Sequence, residues 1–202
     1  MGSRIFMTGG SGLLGQEIQK HIGVFAPSSK EFNILYPHNI DREYDVVIHS
    51  AAYTDVTKAE TDRKTCFDVN VNGTINMLKL FPEAYFVYIS TEYCNNPVNF
   101  YSYTKLWGED LVKKHKNHLI IRTLFKPNPF PYEYAFIDQY TQGDYVDVIA
   151  PMIVKEIILG SQGTITLGTG RKNMFELARR TRPDIKGIMV DDIKGVKLPK
   201  DY

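Results

Sequence analysis

Thr8-Gly9-Gly10-Ser11-Gly12-Leu13-Leu14-Gly15 is the stretch whose reading decides the fold. It follows the apolar run Arg4 to Thr8 (RIFMT) and leads into Gly12 to Ile22, where Leu13, Leu14, Ile18 and Ile22 recur near helical spacing. Strand, glycine turn and helix, in that order, open a parallel α/β unit. Gly9 suits a tight turn, Gly12 lets backbone approach a pyrophosphate with no Cβ in the way, and Gly15 permits close helix-to-strand packing. The start of the helix adds free N–H groups for phosphate oxygens. The competing reading is a tight turn that binds nothing; the flanking strand and helix favour binding. The spacing is GxxGxxG, not GxGxxG, which points to one branch of dinucleotide-binding proteins.

Outward from the turn, short apolar runs alternate with amphipathic ones, the pattern of a parallel sheet covered by helices. Val24 to Ala26 reads as a second strand stopped by Pro27, Asp45 to Ser50 as a third, Tyr85 to Ser90 as a fourth and His118 to Arg122 as a fifth. Helices are expected over 62–80, with Cys66, Val69, Ile75 and Leu78 on the apolar face, and over 102–116. The expected fold is therefore α/β, a doubly wound, Rossmann-like parallel sheet. After Arg122 the pattern changes. Lys126 to Tyr134 (KPNPFPYEY) carries three prolines, which exclude regular helix and central strand. Its aromatics read first as packing for an irregular loop, with base stacking as the alternative. A helix at 148–159, a strand at 164–167, a helix at 175–181 capped by Asn173, and a polar tail at 194–202 complete the chain. The reading divides it into a dinucleotide-binding domain, 1–125, and a small substrate-binding lobe, 126–202, packed on it.

The chain has 202 residues, with 24 basic and 23 acidic side chains and a formal net charge of +1. No strong field favours nucleic acid, and no run approaches the roughly 18 apolar residues of a membrane span. Met1-Gly2-Ser3-Arg4 runs straight into the first strand, so no signal peptide is expected, and Gly2-Ser3 reads as a cloning remnant. Cys66 and Cys94 are too few for a disulfide framework or a zinc site and fit a reducing cytosol. Asp138, Asp144 and Asp147 show no metal-ligand spacing, so no metal is expected. Arg171 and Lys172 read as a solvated basic turn, with contact to a diphosphate as the alternative.

Tyr101 and Lys105 lie four residues apart on one helical face. A phenol at its ordinary pKa of about 10 is a poor acid–base group at neutral pH; a neighbouring ammonium is expected to lower it. Lys105 is also placed to reach a cofactor ribose. Thr91, ending the YFVYIS strand, is expected to hydrogen-bond a carbonyl oxygen that gains negative charge. Each of these alone has an ordinary structural reading; their order after a nucleotide-binding turn favours chemistry. An acidic residue commonly ends the second strand and holds the ribose 2′-hydroxyl. Here that place reads Ala26-Pro27-Ser28-Ser29-Lys30, with no carboxylate until Glu31. Ser28, Ser29 and Lys30 are therefore expected on a 2′-phosphate, which favours NADPH over NADH, with Lys30 as an ordinary solvated side chain as the alternative.

With these motifs the chain resembles the extended short-chain dehydrogenase/reductase family. The resemblance rests on TGGSGLLG at 8–15, HSAAYT at 49–54, VNVNGT at 69–74, STEY at 90–93 and YSYTKLWGE at 101–109. It is most like the dTDP-4-dehydrorhamnose reductase branch, and it covers about residues 4–125. It implies NAD(P)H-dependent reduction of a 4-keto sugar on a nucleoside diphosphate. By position, Thr91, Tyr101 and Lys105 match the catalytic trio. Gly9, Ser11, Gly12, Leu13, Leu14 and Gly15 match the pyrophosphate turn, and Ala51, Ala52 and Tyr53 the wall beside the cofactor. The segment between Thr91 and Tyr101 is shorter than in most relatives. An epimerase or dehydratase of the same family is the second enzyme reading, although no second carboxylate follows Glu92. A non-catalytic nucleotide-binding subunit is the third. The resemblance also suggests a homodimer through helices 62–80 and 102–116, with Leu106, Trp107 and Leu111 as candidate contacts and burial within the monomer as the equal alternative. The cysteine usage suggests the cytoplasm.

Overall fold

The computed structural model describes residues 3–40 and 42–201. Met1, Gly2 of the expected Gly2-Ser3 remnant, Asp41 and Tyr202, the end of the expected tail, lie outside the described residues. Five parallel strands form the central sheet: β1 (Ile5–Thr8), β2 (Val46–His49), β3 (Tyr85–Thr91), β4 (His118–Thr123) and β5 (Gly163–Thr166), in that spatial order. Every residue of β1, β2 and β3 is buried, as continuous apolar runs require when helices cover both faces. The faces alternate along each strand. Met7, Ile48, Val87 and Ile121 pack against helices α1 (Leu13–Ile18) and α5 (Val146–Leu159). Phe6, Val47, Phe86 and Ile120 pack on the other side against Met77 and Val112. The architecture is the Rossmann-like sheet that the alternation predicts.

The register carries the C-terminal strand ends to one edge: Thr8 sits opposite His49, His49 opposite Tyr88, and Thr91 opposite Thr123. Open α/β sheets bind ligands at that edge.

Four elements differ from the sequence reading. Val24 to Ala26 is no strand but one bridge, Phe25 to Phe6, with Met7 N donating to Phe25 O at 2.9 Å. Pro27 has no N–H to extend the pairing, and the segment lies at the open edge beside β1. The helix expected to Ile22 ends at Ile18, where the Gln19 side chain turns back to donate to Gly10 O (2.8 Å) and Gly15 O (3.0 Å). The 62–80 helix is three consecutive pieces: α2 (Arg63–Phe67), a π-helical turn (Asp68–Asn72) and α3 (Gly73–Leu80). The wider turn shifts the buried face, so that Asn70 and Val71 are buried and Val69 only partly. Helix α4 (Phe100–Val112) begins two residues earlier than expected, because Asn99 and Ser102 cap each other reciprocally. Tyr101 therefore stands within the first helical turn.

The helix and strand expected in the C-terminal third join the main sheet: β5 pairs with β4, and α5 buries Ile149, Ile153 and Ile157 on the sheet. The remaining segments make short ladders, 125–126 with 144–145, 134–136 with 186–188 and 140–141 with 172–173. They hold α6 (Met174–Arg179), capped by Asn173 as expected, over the edge where the strands end. Among the described residues no helix is long and apolar enough to cross a membrane.

Candidate active site

At the end of β1 the chain turns through Gly9 at φ +74°, and Gly12 N donates to Gly9 O at 3.0 Å. A Cβ on Gly15 would stand 2.2 Å from Gly9 O, so the helix approaches the turn as closely as only glycine permits. Gly12 is the helix N-cap and offers no side-chain acceptor, leaving the first-turn N–H groups uncapped by the chain itself. The turn forms one end of a cleft of about 780 Å³ along the sheet edge. Gly9, Ser11, Gly12, Leu13, Leu14 and Gly15 line that end, and Ser29, Ala51, Ala52, Thr91, Tyr101 and Lys105 line the same cleft.

Three expected cofactor residues do not line the cleft. The Ser28 hydroxyl and backbone N–H both donate to Glu31 Oε2, at 2.8 and 2.9 Å, and hold that carboxyl below its usual range. Lys30 is exposed to solvent. Tyr53 is tied back by Asn70, which accepts from Tyr53 N at 2.8 Å and donates to Tyr53 O at 3.2 Å.

Tyr101 is buried, and burial pushes its phenol above the ordinary range, with Cys94 and Tyr93 acting the same way. A hydrogen bond with Thr91 opposes the rise. The sequence reading expects Lys105 to bring the phenol down; here burial raises it instead. Lys105 is itself buried, donates to Ile89 O at 2.8 Å and stands 4.0 Å over the Tyr88 ring. Burial pushes its ammonium down to about 8. A phenol held high is protonated at neutral pH, the state that a proton donor requires.

Behind the cleft, Thr8 Oγ1 meets His49 Nδ1 at 2.8 Å and His49 Nε2 meets Thr74 Oγ1 at 3.1 Å. Asn70 donates to Thr104 Oγ1 at 2.9 Å, and Thr104 Oγ1 donates to Tyr101 O at 2.7 Å. Burial, aided by the Lys105 charge, pushes His49 from 6.5 down to about 3. As pH falls from 6.5, the unfolded chain takes up a proton at His49 that the native state refuses until about 3. Native stability is therefore expected to fall across that window. Thermal melts between pH 7 and pH 4 should show the decline, and His49→Gln should flatten it; equal slopes would contradict this account.

Glu92, next to Thr91, does not line the cleft. Its carboxylate accepts from Thr141 Oγ1 at 2.5 Å and from Gln142 N at 3.1 Å, and burial raises its pKa. Arg171 pairs with Asp201 at 2.6 Å, while the Lys172 ammonium donates to Gly143 O and Gly170 O, both at 2.7 Å. Neither faces the cleft, which removes the diphosphate alternative for that turn. Asp138, Asp144 and Asp147 take separate partners, Lys200, Arg180 and Asn128. The cleft also takes in Asn33 to Leu35 and Phe125 to Pro127, which the sequence reading did not assign, and Tyr132, one of the aromatics it read as loop packing with base stacking as the alternative. Asn70 was equally unassigned; its signal lay within VNVNGT, the segment that forms the π-helical turn.

The family profile described as the RmlD substrate binding domain matches residues 3–150. The dTDP-4-dehydrorhamnose reductase of Mycolicibacterium smegmatis is 31% identical over 177 residues, covering 75% of this chain and 50% of that protein. The GDP-6-deoxy-D-mannose reductase of Pseudomonas aeruginosa is 27% identical over 141 residues, 55% of this chain and 46% of that one. The chain thus spans about half the length of these curated relatives. Among solved structures, a dTDP-4-dehydrorhamnose reductase from Bacillus anthracis in complex with NADP superposes with a TM-score of 0.84 at 25% identity, covering 100% of this chain and 88% of that one.

Proposed function

The chain belongs to the RmlD substrate binding domain family, and from that premise we propose that it uses NADPH to reduce the 4-keto group of a nucleotide-linked 6-deoxy sugar. The observation that carries this reading is the meeting of Thr91, Tyr101 and Lys105 in the same cleft as the glycine turn. The names of the Mycolicibacterium and Bacillus relatives, and the NADP bound to the latter, support it. The turn fits a dinucleotide: the space where a Gly9 or Gly15 side chain would begin is filled by backbone, so backbone alone faces the cleft there.

When bound, the dinucleotide supplies the hydride that reduces the carbonyl carbon. Tyr101 Oη gives its proton to the carbonyl oxygen, and Thr91 Oγ1 hydrogen-bonds that oxygen as charge develops. Lys105 Nζ spends one of its three donors on Ile89 O and keeps the others for the ribose. In this reading the glycine turn holds the dinucleotide, with Ala51 and Ala52 as the wall beside it, and Lys126, Pro127 and Tyr132 meet the sugar nucleotide. The protein works in the cytoplasm as a homodimer, for which α4 offers the half-exposed Trp107 among the rings of Phe67, Phe100 and Tyr103. Dehydration is the weaker alternative, because the Glu92 carboxylate is engaged by Thr141 away from the cleft.

The direct test follows NADPH absorbance with a dTDP-4-keto-6-deoxy sugar. Substrate-dependent loss is expected; no loss with dTDP, GDP or UDP sugars would overturn the reading. For the 2′-phosphate, Ser29 and Lys30 carry the assignment, since Ser28 is held by Glu31. Lys30→Ala is expected to weaken NADPH binding about fivefold and to leave NADH unchanged, the effect of one exposed cation on a phosphate. Fluorescence titration of both cofactors checks it, and equal losses for both would refute it.

A further inference from the structure

Lys105 and Lys126 both line the cleft, and among the described residues no Asp or Glu does. Lys105 donates to Ile89 O, lies over the Tyr88 ring and keeps its remaining donors for the cofactor ribose. Lys126 is different. Its ammonium stands 5.1 Å from the centroid of the Tyr132 ring, and among the described residues no carboxylate or carbonyl holds it. It is partly buried, and burial pushes it down to about 8, the mark of a cation kept from water without a counter-charge. The aromatic face orients an ammonium but does not neutralise it. Arg171 and Lys172, the cations that the sequence offered for a diphosphate, are neutralised elsewhere.

The sheet says which phosphate can reach Lys126. Thr123 is the register partner of Thr91, and Lys126 lies three residues past it, beyond the end of β4. The glycine turn follows β1, three strands away in the sheet order, roughly 14 Å at the usual strand spacing. A pyrophosphate on the glycine turn therefore lies at the opposite end of the cleft, with the catalytic residues between. We propose that Lys126, backed by Tyr132, grips the diphosphate of the nucleotide-sugar substrate. This rests on the reading of the cleft as a sugar-nucleotide reductase site and assigns that substrate's charged half to a named side chain. The lysine acts as a point charge, so it tolerates rotation of the diphosphate while fixing its distance from Thr91 and Tyr101.

Calorimetric titration with dTDP and, separately, with NADPH tests the assignment on wild type, Lys126→Gln and Lys126→Arg. Losing one charge-assisted contact should weaken dTDP binding about 10- to 100-fold in Lys126→Gln. NADPH binding should be unchanged, which also reports an intact fold, and Lys126→Arg should recover most of the dTDP affinity. Equal dTDP affinity in wild type and Lys126→Gln would overturn the assignment while leaving the reductase reading untouched. A parallel loss of NADPH and dTDP would overturn it by tracing the phosphate to the cofactor. A wild-type protein that binds NADPH but neither dTDP, GDP nor UDP would overturn the reductase reading and the assignment together.

Discussion

Tyr101→Phe is expected to lower turnover by about 10²–10⁴-fold, the range that a positioned proton donor contributes, while NADPH affinity stays within about twofold. The phenylalanine keeps the ring in its buried place, with Tyr93 still edge-on at 6.4 Å between centroids. What disappears is one hydroxyl: the proton source for the carbonyl oxygen and the hydrogen-bond partner of Thr91. Because burial holds the phenol high, the wild-type group is protonated at neutral pH and loses no activity for want of its proton. Steady-state rates on both proteins, with cofactor titrations beside them, measure the effect. Full turnover in the variant would mean that Tyr101 only packs.

Gly15→Ala is the second large effect. The added Cβ would meet Gly9 O at 2.2 Å, Gly10 Cα at 2.7 Å and Gly9 C at 2.9 Å, all backbone atoms with no rotamer to yield. Either α1 moves off the turn or the turn opens, and each change displaces the backbone that faces the pyrophosphate. Overpacking of this kind costs about 1–3 kcal/mol or more, and NADPH binding should fall at least tenfold with it. Gly23→Ala is the control. Nothing lies within 4 Å of its Cβ position, so that substitution should leave binding unchanged and stability equal or slightly improved. Urea melts and NADPH titrations of the two variants decide the point. A Gly15→Ala protein that binds NADPH as tightly as wild type would remove the turn from the cofactor site.

The sequence made some of this legible and hid the rest for physical reasons. Strands such as Tyr85 to Thr91 announce themselves because burial on both faces demands an unbroken apolar run. Val24 to Ala26 misleads because three apolar residues before a proline look the same whether or not a ladder forms. The break in the 62–80 helix is invisible to a 3.6-residue period, since a π-helical turn adds a residue without changing composition. Tyr101 and Lys105 are found by spacing because one helix carries both. The raised phenol is not, because burial is a property of the folded chain. Lys126 escapes notice among prolines; only the register of β3 with β4 brings it to the cleft. Ser28 shows the reverse case, a plausible phosphate ligand that the neighbouring Glu31 claims first.

The measurement closest to the central claim uses NADPH deuterated at the transferring position of its nicotinamide, with dTDP-4-keto-6-deoxy sugar and the wild-type protein, and mass spectrometry of the sugar product. Reduction as described places one deuterium on C4 of a product three mass units heavier than the keto sugar, one from the proton and two from the deuteride, with NADP formed in equal amount. A product of unchanged oxidation state that carries no deuterium, with the cofactor still reduced, would contradict the account and identify a cleft that binds the dinucleotide without spending its hydride.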